Sequence, residues 1–183
     1  MPSKLLIVVD MQNDFITGAL GSEDAQKIVN NVVDKVNSYN PERVVFTRDT
    51  HYGNYLMTQE GKKLPVPHCI KDTYGWEVIK ELQETKAYKL EREDTVPITL
   101  DKDSFGYNSW CIFFASNRIK ASEIEIVGVC TDICVVSNAL ILKALLPELP
   151  ITVDARCCAG ITPESHEAAL KVLKMCQINV IGD

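Results

Sequence analysis

Short apolar runs alternate with amphipathic stretches along the whole of this chain. Leu5–Val9, Arg43–Thr47, Val96–Leu100, Glu123–Val129, Ile151–Asp154 and Ile178–Ile181 predict six β-strands. Several are apolar without interruption, as strands must be when helices cover both faces of a parallel sheet. Ala25 to Tyr39 predicts a helix with Ile28, Val29, Val32, Val33 and Val36 on one face. Trp76 to Leu82 and Asn108 to Ala115 predict shorter helices, and Ile133 to Leu146 is so apolar that its helix must be buried. Thr162-Pro163-Glu164 opens a last helix, with a capping residue followed by proline at the first helical position. No repeat or linker interrupts the pattern. Residues 1–183 therefore read as a single α/β domain: a doubly wound, mainly parallel six-stranded sheet with helices on both faces.

In such sheets ligands bind beyond the carboxyl ends of the strands. Asp10 follows the first strand, Asp49 the second and Lys102 the third, while Cys130 to Cys134 follow the fourth. An aspartate after a strand can equally be a helix cap. Four reactive positions at strand ends, none close in sequence, point instead to one shared edge. Cys134 lies where a turn enters the apolar helix, so a helix N-terminus and a neighbouring lysine would lower its pKa and favour the nucleophilic thiolate. An aspartate beside it could take the thiol proton and return it to a leaving amine. Read without that context, Cys134 is also compatible with a small core residue.

The net charge of −6 and the lack of a Lys/Arg cluster argue against nucleic acid or an anionic membrane as partner. Leu5 to Val9 is too short to span a membrane or to serve as a secretory core. Seven cysteines, with no secretory segment, read as reduced thiols and a cytoplasmic location.

A second group is Asp49-Thr50-His51, with Glu60 and His68 downstream. Carboxylates with imidazoles suit zinc, iron or manganese rather than calcium. Ordinary loop residues would show the same spacing. His166, in the last helix, reads as a solvated residue.

Val8-Val9-Asp10-Met11-Gln12-Asn13-Asp14-Phe15 resembles the opening strand of the isochorismatase-like cysteine hydrolases. Val127-Gly128-Val129-Cys130-Thr131-Asp132-Ile133-Cys134-Val135 resembles their nucleophile turn, and Lys102 with Asp103-Ser104-Phe105-Gly106-Tyr107 their lysine segment. The likeness runs through nearly the whole chain in the same order. It implies the isochorismatase-like hydrolase fold and a catalytic set of Asp10, Lys102 and Cys134. It further implies an oxyanion hole from the backbone N–H groups of Cys130 and Cys134, and a cis peptide between Val129 and Cys130. Arg48-Asp49-Thr50-His51 and Pro65-Val66-Pro67-His68-Cys69 are similar to the metal segments of the family's nicotinamidases. The implied metal, one divalent transition ion with zinc foremost and iron or manganese also suited, would sit on Asp49, His51, Glu60 and His68. The family's extra histidine shortly after His51 is absent, and Pro65 stands where a ring-stacking tryptophan is common. Phe15 remains as an aromatic wall for substrate. The implied activity is hydrolysis of nicotinamide or a closely similar small amide. The alternatives are a carbamoyl or ureido amide, or a non-catalytic binding member. The vinyl-ether hydrolysis of isochorismate is disfavoured by the cysteine and the metal residues. The expected partners are a small amide substrate and further copies of the chain in a homo-oligomer.

Overall fold

The computed structural model describes residues 3–90, 99–117 and 120–183. Six strands form one sheet: β1 (Ser3–Val9), β2 (Val44–Asp49), β3 (Thr99–Lys102), β4 (Ala121–Val129), β5 (Ile151–Ala159) and β6 (Asn179–Ile181). Their order is β3-β2-β1-β4-β5-β6. Every pairing is parallel, so the sheet is wholly rather than mainly parallel. The chain winds outward from β1 to β3, returns to the middle as β4 and winds out the other way. The crevice between the ends of β1 and β4 is therefore the topological switch point, where this architecture leaves room for a ligand.

The unbroken apolar run of β1 serves two cores at once, because alternate side chains point to opposite faces. Leu6 and Val8 pack with Val32 and Val36 of helix α1 (Val29–Ser38). Leu5, Ile7 and Val9 pack into the opposite core. That core is closed by helices α2 (Trp110–Asn117), α3 (Val136–Leu145) and α4 (Pro163–Met175). Leu5 through Val9 are all fully buried, which is why this strand carries no alternation.

Some elements differ from the sequence expectation. The stretch from Ala25 to Tyr39 is broken at Ile28, so a separate helical turn, Glu23–Lys27, precedes α1. Trp76 to Leu82 is not one helix. A tight turn at Tyr74–Trp76 and a short helix at Lys80–Gln83 flank Val78, which pairs with Gln12. The predicted strand Val96–Leu100 falls in part outside the described residues, and its described portion runs on to Lys102. Strand β5 reaches Ala159, five residues beyond the predicted Asp154, with a register irregularity against β4 between Ile126 and Gly128. The Thr162 side chain accepts from Ser165 N, capping α4 as expected.

Candidate active site

Asp10 leaves β1 in the left-handed region, with φ of 49°. This turn is held by Asp10 N donating to Thr47 O and by Gln12 N donating to Asp10 O. The Asp10 carboxylate is fully buried, and its Oδ1 accepts the Thr47 hydroxyl at 2.7 Å. Gly128 of β4, with φ of 117°, lies against this turn; a Cβ there would stand 2.1 Å from Val9 O. Only glycine permits the two central strands to end so close together.

From β3, Lys102 reaches under the crevice. Its Nζ lies 2.7 Å from Asp10 Oδ2, 3.1 Å from Asp49 Oδ1 and 3.5 Å from Cys134 Sγ. Burial favours a neutral amine, but Asp10, Cys134 and Asp49 more than offset it and hold Lys102 well above its ordinary value. Burial pushes the Asp10 carboxyl above the usual carboxylate range against the pull of Lys102. Burial also drives the Cys134 thiol well above its ordinary value, with Lys102 opposing. The sequence expectation of a lowered Cys134 pKa is thus reversed. One ammonium is shared by two carboxylates and a buried thiol, so its pull on the thiol does not outweigh burial.

Cys134 sits in a five-residue turn, Thr131–Val135, wound with an i→i+5 hydrogen bond from Val135 N to Cys130 O. The Val129–Cys130 peptide that leads into the turn is cis. Asn138, one helical turn after Cys134, donates to Cys134 O at 2.8 Å and accepts from Tyr107 N and Trp110 Nε1, both at 2.9 Å.

Asp49 shares its two oxygens between two sites. Oδ1 meets Lys102, while Oδ2 lies 2.9 Å from His51 Nε2 and 3.6 Å from His68 Nε2. Glu60 Oε1 stands 3.6 Å from His51 Nε2 and 3.7 Å from His68 Nε2. One donor atom from each of these four residues lies within 4.8 Å of all the others. Bonds of roughly 2.0–2.1 Å to a tetrahedral ion set its ligand atoms about 3.4 Å apart, close to three of these four spacings. His68 Nδ1 faces Val66 O at 2.8 Å. A carbonyl can only accept, so Nδ1 carries a proton, which leaves Nε2 as the ring nitrogen able to offer a lone pair to an ion in the cluster. His51 Nε2 is buried between two carboxylate oxygens, 2.9 Å from Asp49 Oδ2 and 3.6 Å from Glu60 Oε1, without a well-aligned hydrogen bond to either. A nitrogen and two carboxylate oxygens facing one point suit a cation.

The loop is built to gather these residues. His51 N donates to Cys69 O and Lys71 N to His51 O, which strap the His68 segment beside His51. Asp14 Oδ2 accepts Cys69 N at 2.7 Å and braces the same strap. Gln12 Nε2 donates to Asp49 O, and Gln12 Oε1 accepts Asp49 N, which fixes the end of β2 against the turn after β1. Above this floor opens a cavity of about 710 Å³ that contains Cys134 and all four members of the cluster. Its apolar walls include Phe15, Leu20, Leu64, Phe105 and Ile161. The Phe15 ring lies 5.5 Å from that of His68, centre to centre. Pro65 is exposed, and Leu64 beside it forms the wall instead.

All nine residues singled out in the sequence (Asp10, Phe15, Asp49, His51, Glu60, His68, Lys102, Cys130 and Cys134) thus lie in or directly under one crevice. Thr47, Gln12, Asp14 and Asn138 are supporting residues the sequence reading missed. Asn138 had a visible signal, since a lone amide in an apolar helix must find partners. His166, expected to be solvated, is half-buried with Nδ1 2.8 Å from Thr131 Oγ1. Among the described residues, no helix is long and apolar enough to cross a membrane.

Comparison with known proteins agrees with this geometry. A family model described as "Isochorismatase domain" matches residues 4–182. The nicotinamidase of Saccharomyces cerevisiae is 27% identical, over 97% of this chain and 99% of its own length. The structure of a pyrazinamidase/nicotinamidase from Streptococcus mutans is 26% identical, with a TM-score of 0.81 over 98% of this chain and 100% of its own. That of a pyrazinamidase from Pyrococcus horikoshii in complex with zinc is 25% identical, with a TM-score of 0.75 over the full length of both chains. With the family model covering nearly every residue, and the switch-point crevice furnished as described, the chain belongs to the isochorismatase family.

Proposed function

We propose that the chain hydrolyses a small C–N amide, nicotinamide foremost, through a thioester on Cys134. The observation that carries this reading is Lys102 Nζ in simultaneous contact with Asp10, Asp49 and Cys134 at the base of the cavity. A binding module has no use for a buried lysine set between an acid and a thiol, within reach of both. The nicotinamidase and pyrazinamidase names of the relatives support the substrate class.

In the proposed reaction Asp10 accepts the Cys134 proton as the sulfur forms its bond to the amide carbon. The backbone N–H groups of Cys130 and Cys134 hold the oxyanion. Asp10 then gives the proton to the nitrogen of this tetrahedral adduct, the C–N bond breaks, and ammonia leaves as the thioester forms. Asp10 next takes a proton from water, whose oxygen attacks the thioester carbon. The acid is released, and the proton on Asp10 returns to the Cys134 sulfur. Burial raises Asp10, which makes its carboxylate a stronger base than a free one and so better suited to take a proton from Cys134 and pass it on. Lys102 keeps a positive charge beside whichever of the two is ionised.

Asp49, His51, Glu60 and His68 would hold one divalent transition ion, zinc foremost, and when bound it supplies a Lewis-acidic point for a ligand lone pair such as a pyridine nitrogen. The carboxamide would then face Cys134, with Phe15 along the ring.

Ammonia release from nicotinamide, benzamide, an aliphatic amide and a carbamoyl amide tests the reading. Nicotinamide should exceed benzamide by about tenfold or more in kcat/KM, the effect of one unmatched polar contact. Cys134→Ala should abolish turnover with an unchanged circular dichroism spectrum. Elemental analysis should find one transition metal per chain, lost in Asp49→Ala and His51→Ala. Activity on the carbamoyl amide alone would replace the substrate assignment, and no ammonia from any amide would remove the reading altogether.

A further inference from the structure

The last helix contributes no reacting group, yet it is tied to the turn that bears the nucleophile. Thr131 is fully buried, and its Oγ1 lies 2.8 Å from Nδ1 of His166 in α4. The next residue of the turn, Asp132, accepts Ile161 N with both carboxylate oxygens at 3.2 Å. Two consecutive residues of the turn are therefore held by the segment from Ile161 to His166.

That segment is itself rigidly set. Thr162 and Ser165 cap the start of α4 reciprocally, with Pro163 between them. Gly160 marks how closely the helix approaches the strand: a Cβ there would stand 2.9 Å from His166 Cβ and 3.0 Å from its backbone nitrogen. The turn itself is irregular: Ile133 N and Val135 N both donate to Cys130 O, and Val136 N donates to Ile133 O and Thr131 O. An i→i+5 turn is a rare form that occurs mostly as a single turn at functional sites.

We propose that His166 is a positioning residue: its hydrogen bond to Thr131 fixes the turn that carries the Cys130 and Cys134 N–H groups and the Cys134 sulfur. For its effect on rate this rests on the hydrolase reading above; the clamp itself does not. His166 stays clear of the reacting atoms and acts through Thr131 alone. A displacement of the turn by a fraction of an ångström affects attack and oxyanion binding, while the cavity walls that bind substrate remain in place. The signature is a fall in kcat at nearly constant KM.

The test uses the metal-loaded full chain with His166→Ala, His166→Asn, Thr131→Val and the double variant His166→Ala/Thr131→Val. Asparagine places a polar atom near the position of Nδ1, so it can restore the tie. Two measurements are made: steady-state amide hydrolysis, and amide hydrogen exchange over residues 130–135 by mass spectrometry. His166→Ala and Thr131→Val should each lower kcat by roughly ten- to a hundredfold, with KM changed less than about twofold. Each should also speed exchange in the turn. His166→Asn should recover most of both effects, and the double variant should be no worse than either single one. Wild-type kcat and exchange in His166→Ala would overturn the inference. So would equal losses in the alanine and asparagine variants, or independent losses that multiply in the double variant. If the wild type releases no ammonia, the hydrolase reading fails, and the exchange data decide the clamp alone.

Discussion

Asn138 shows how one side chain can organise a site that it does not enter. Its amide oxygen takes two donors, Tyr107 N and Trp110 Nε1, and its amide nitrogen donates to Cys134 O. Replacing it with leucine would leave a buried indole N–H and a buried backbone N–H without acceptors. Asn138→Leu should therefore cost about 2–4 kcal/mol in urea unfolding. Asn138→Asp in its protonated form can accept at one oxygen and donate to Cys134 O from the other, so it should be less destabilised than Asn138→Leu at low pH and lose that advantage as the carboxyl ionises. Cys134 teaches the complementary point about reading residues in isolation. A thiol near a helix start is expected to ionise easily, but burial dominates here and moves it the other way. Position along the chain shows which backbone groups lie near a side chain. Depth beneath the surface, which decides how much ionisation costs, belongs to the folded molecule.

At the scale of elements, the helix-covered face of β4 and β5 holds a charge cluster separate from the crevice. Lys35 of α1 lies 2.6 Å from Glu125 and 2.8 Å from Asp154, and Tyr39 donates its hydroxyl to Glu125. Burial pushes Asp154 up, but hydrogen bonds from Arg156 and Lys35 more than offset it and leave the carboxyl below its ordinary range. A carboxyl with a lowered folded pKa adds stability above its unfolded value near 3.9 and loses it as the pH falls toward the folded value. Lys35→Met should thus destabilise by about 1–2 kcal/mol at pH 7, less than a fully buried pair would lose, because Lys35 is partly exposed and Arg156 still holds Asp154. The difference from wild type should shrink in unfolding experiments below about pH 4, and a constant difference would show that Lys35 acts through packing. The central strands β1 and β4 are legible in the sequence because parallel strands buried on both faces are apolar with little interruption, whereas the edge strands β3 and β6 are short and partly exposed. Trp76 to Leu82 misleads because its apolar spacing serves an edge contact, Val78 against Gln12, rather than a helix face. His166 is illegible for a related reason: its partner lies 35 residues away, and nothing local distinguishes it from a solvated histidine.

Across the whole molecule, the candidate metal site joins the end of β2 to the loop that leaves it. Asp49 and His51 lie at the strand end, Glu60 in the short helix Gln59–Lys63 and His68 beyond it. An ion bound by all four closes that loop and stabilises only the folded chain. Chelation should therefore lower the melting temperature of wild type by several degrees, and it should leave Glu60→Ala, already short of one ligand, less affected. Equal shifts in both would argue against Glu60 as a ligand. The order β3-β2-β1-β4-β5-β6 has a further effect on how such an enzyme can change. The groups proposed to make and break bonds stand on the ends of central strands or in turns anchored to them. The surfaces that would judge a substrate (Leu20, Leu64, Phe105 and Ile161) belong to the connections between elements. Judgement and chemistry are thus inherited through different parts of the chain, and a descendant could acquire a new diet by redrawing its loops while its engine stayed untouched.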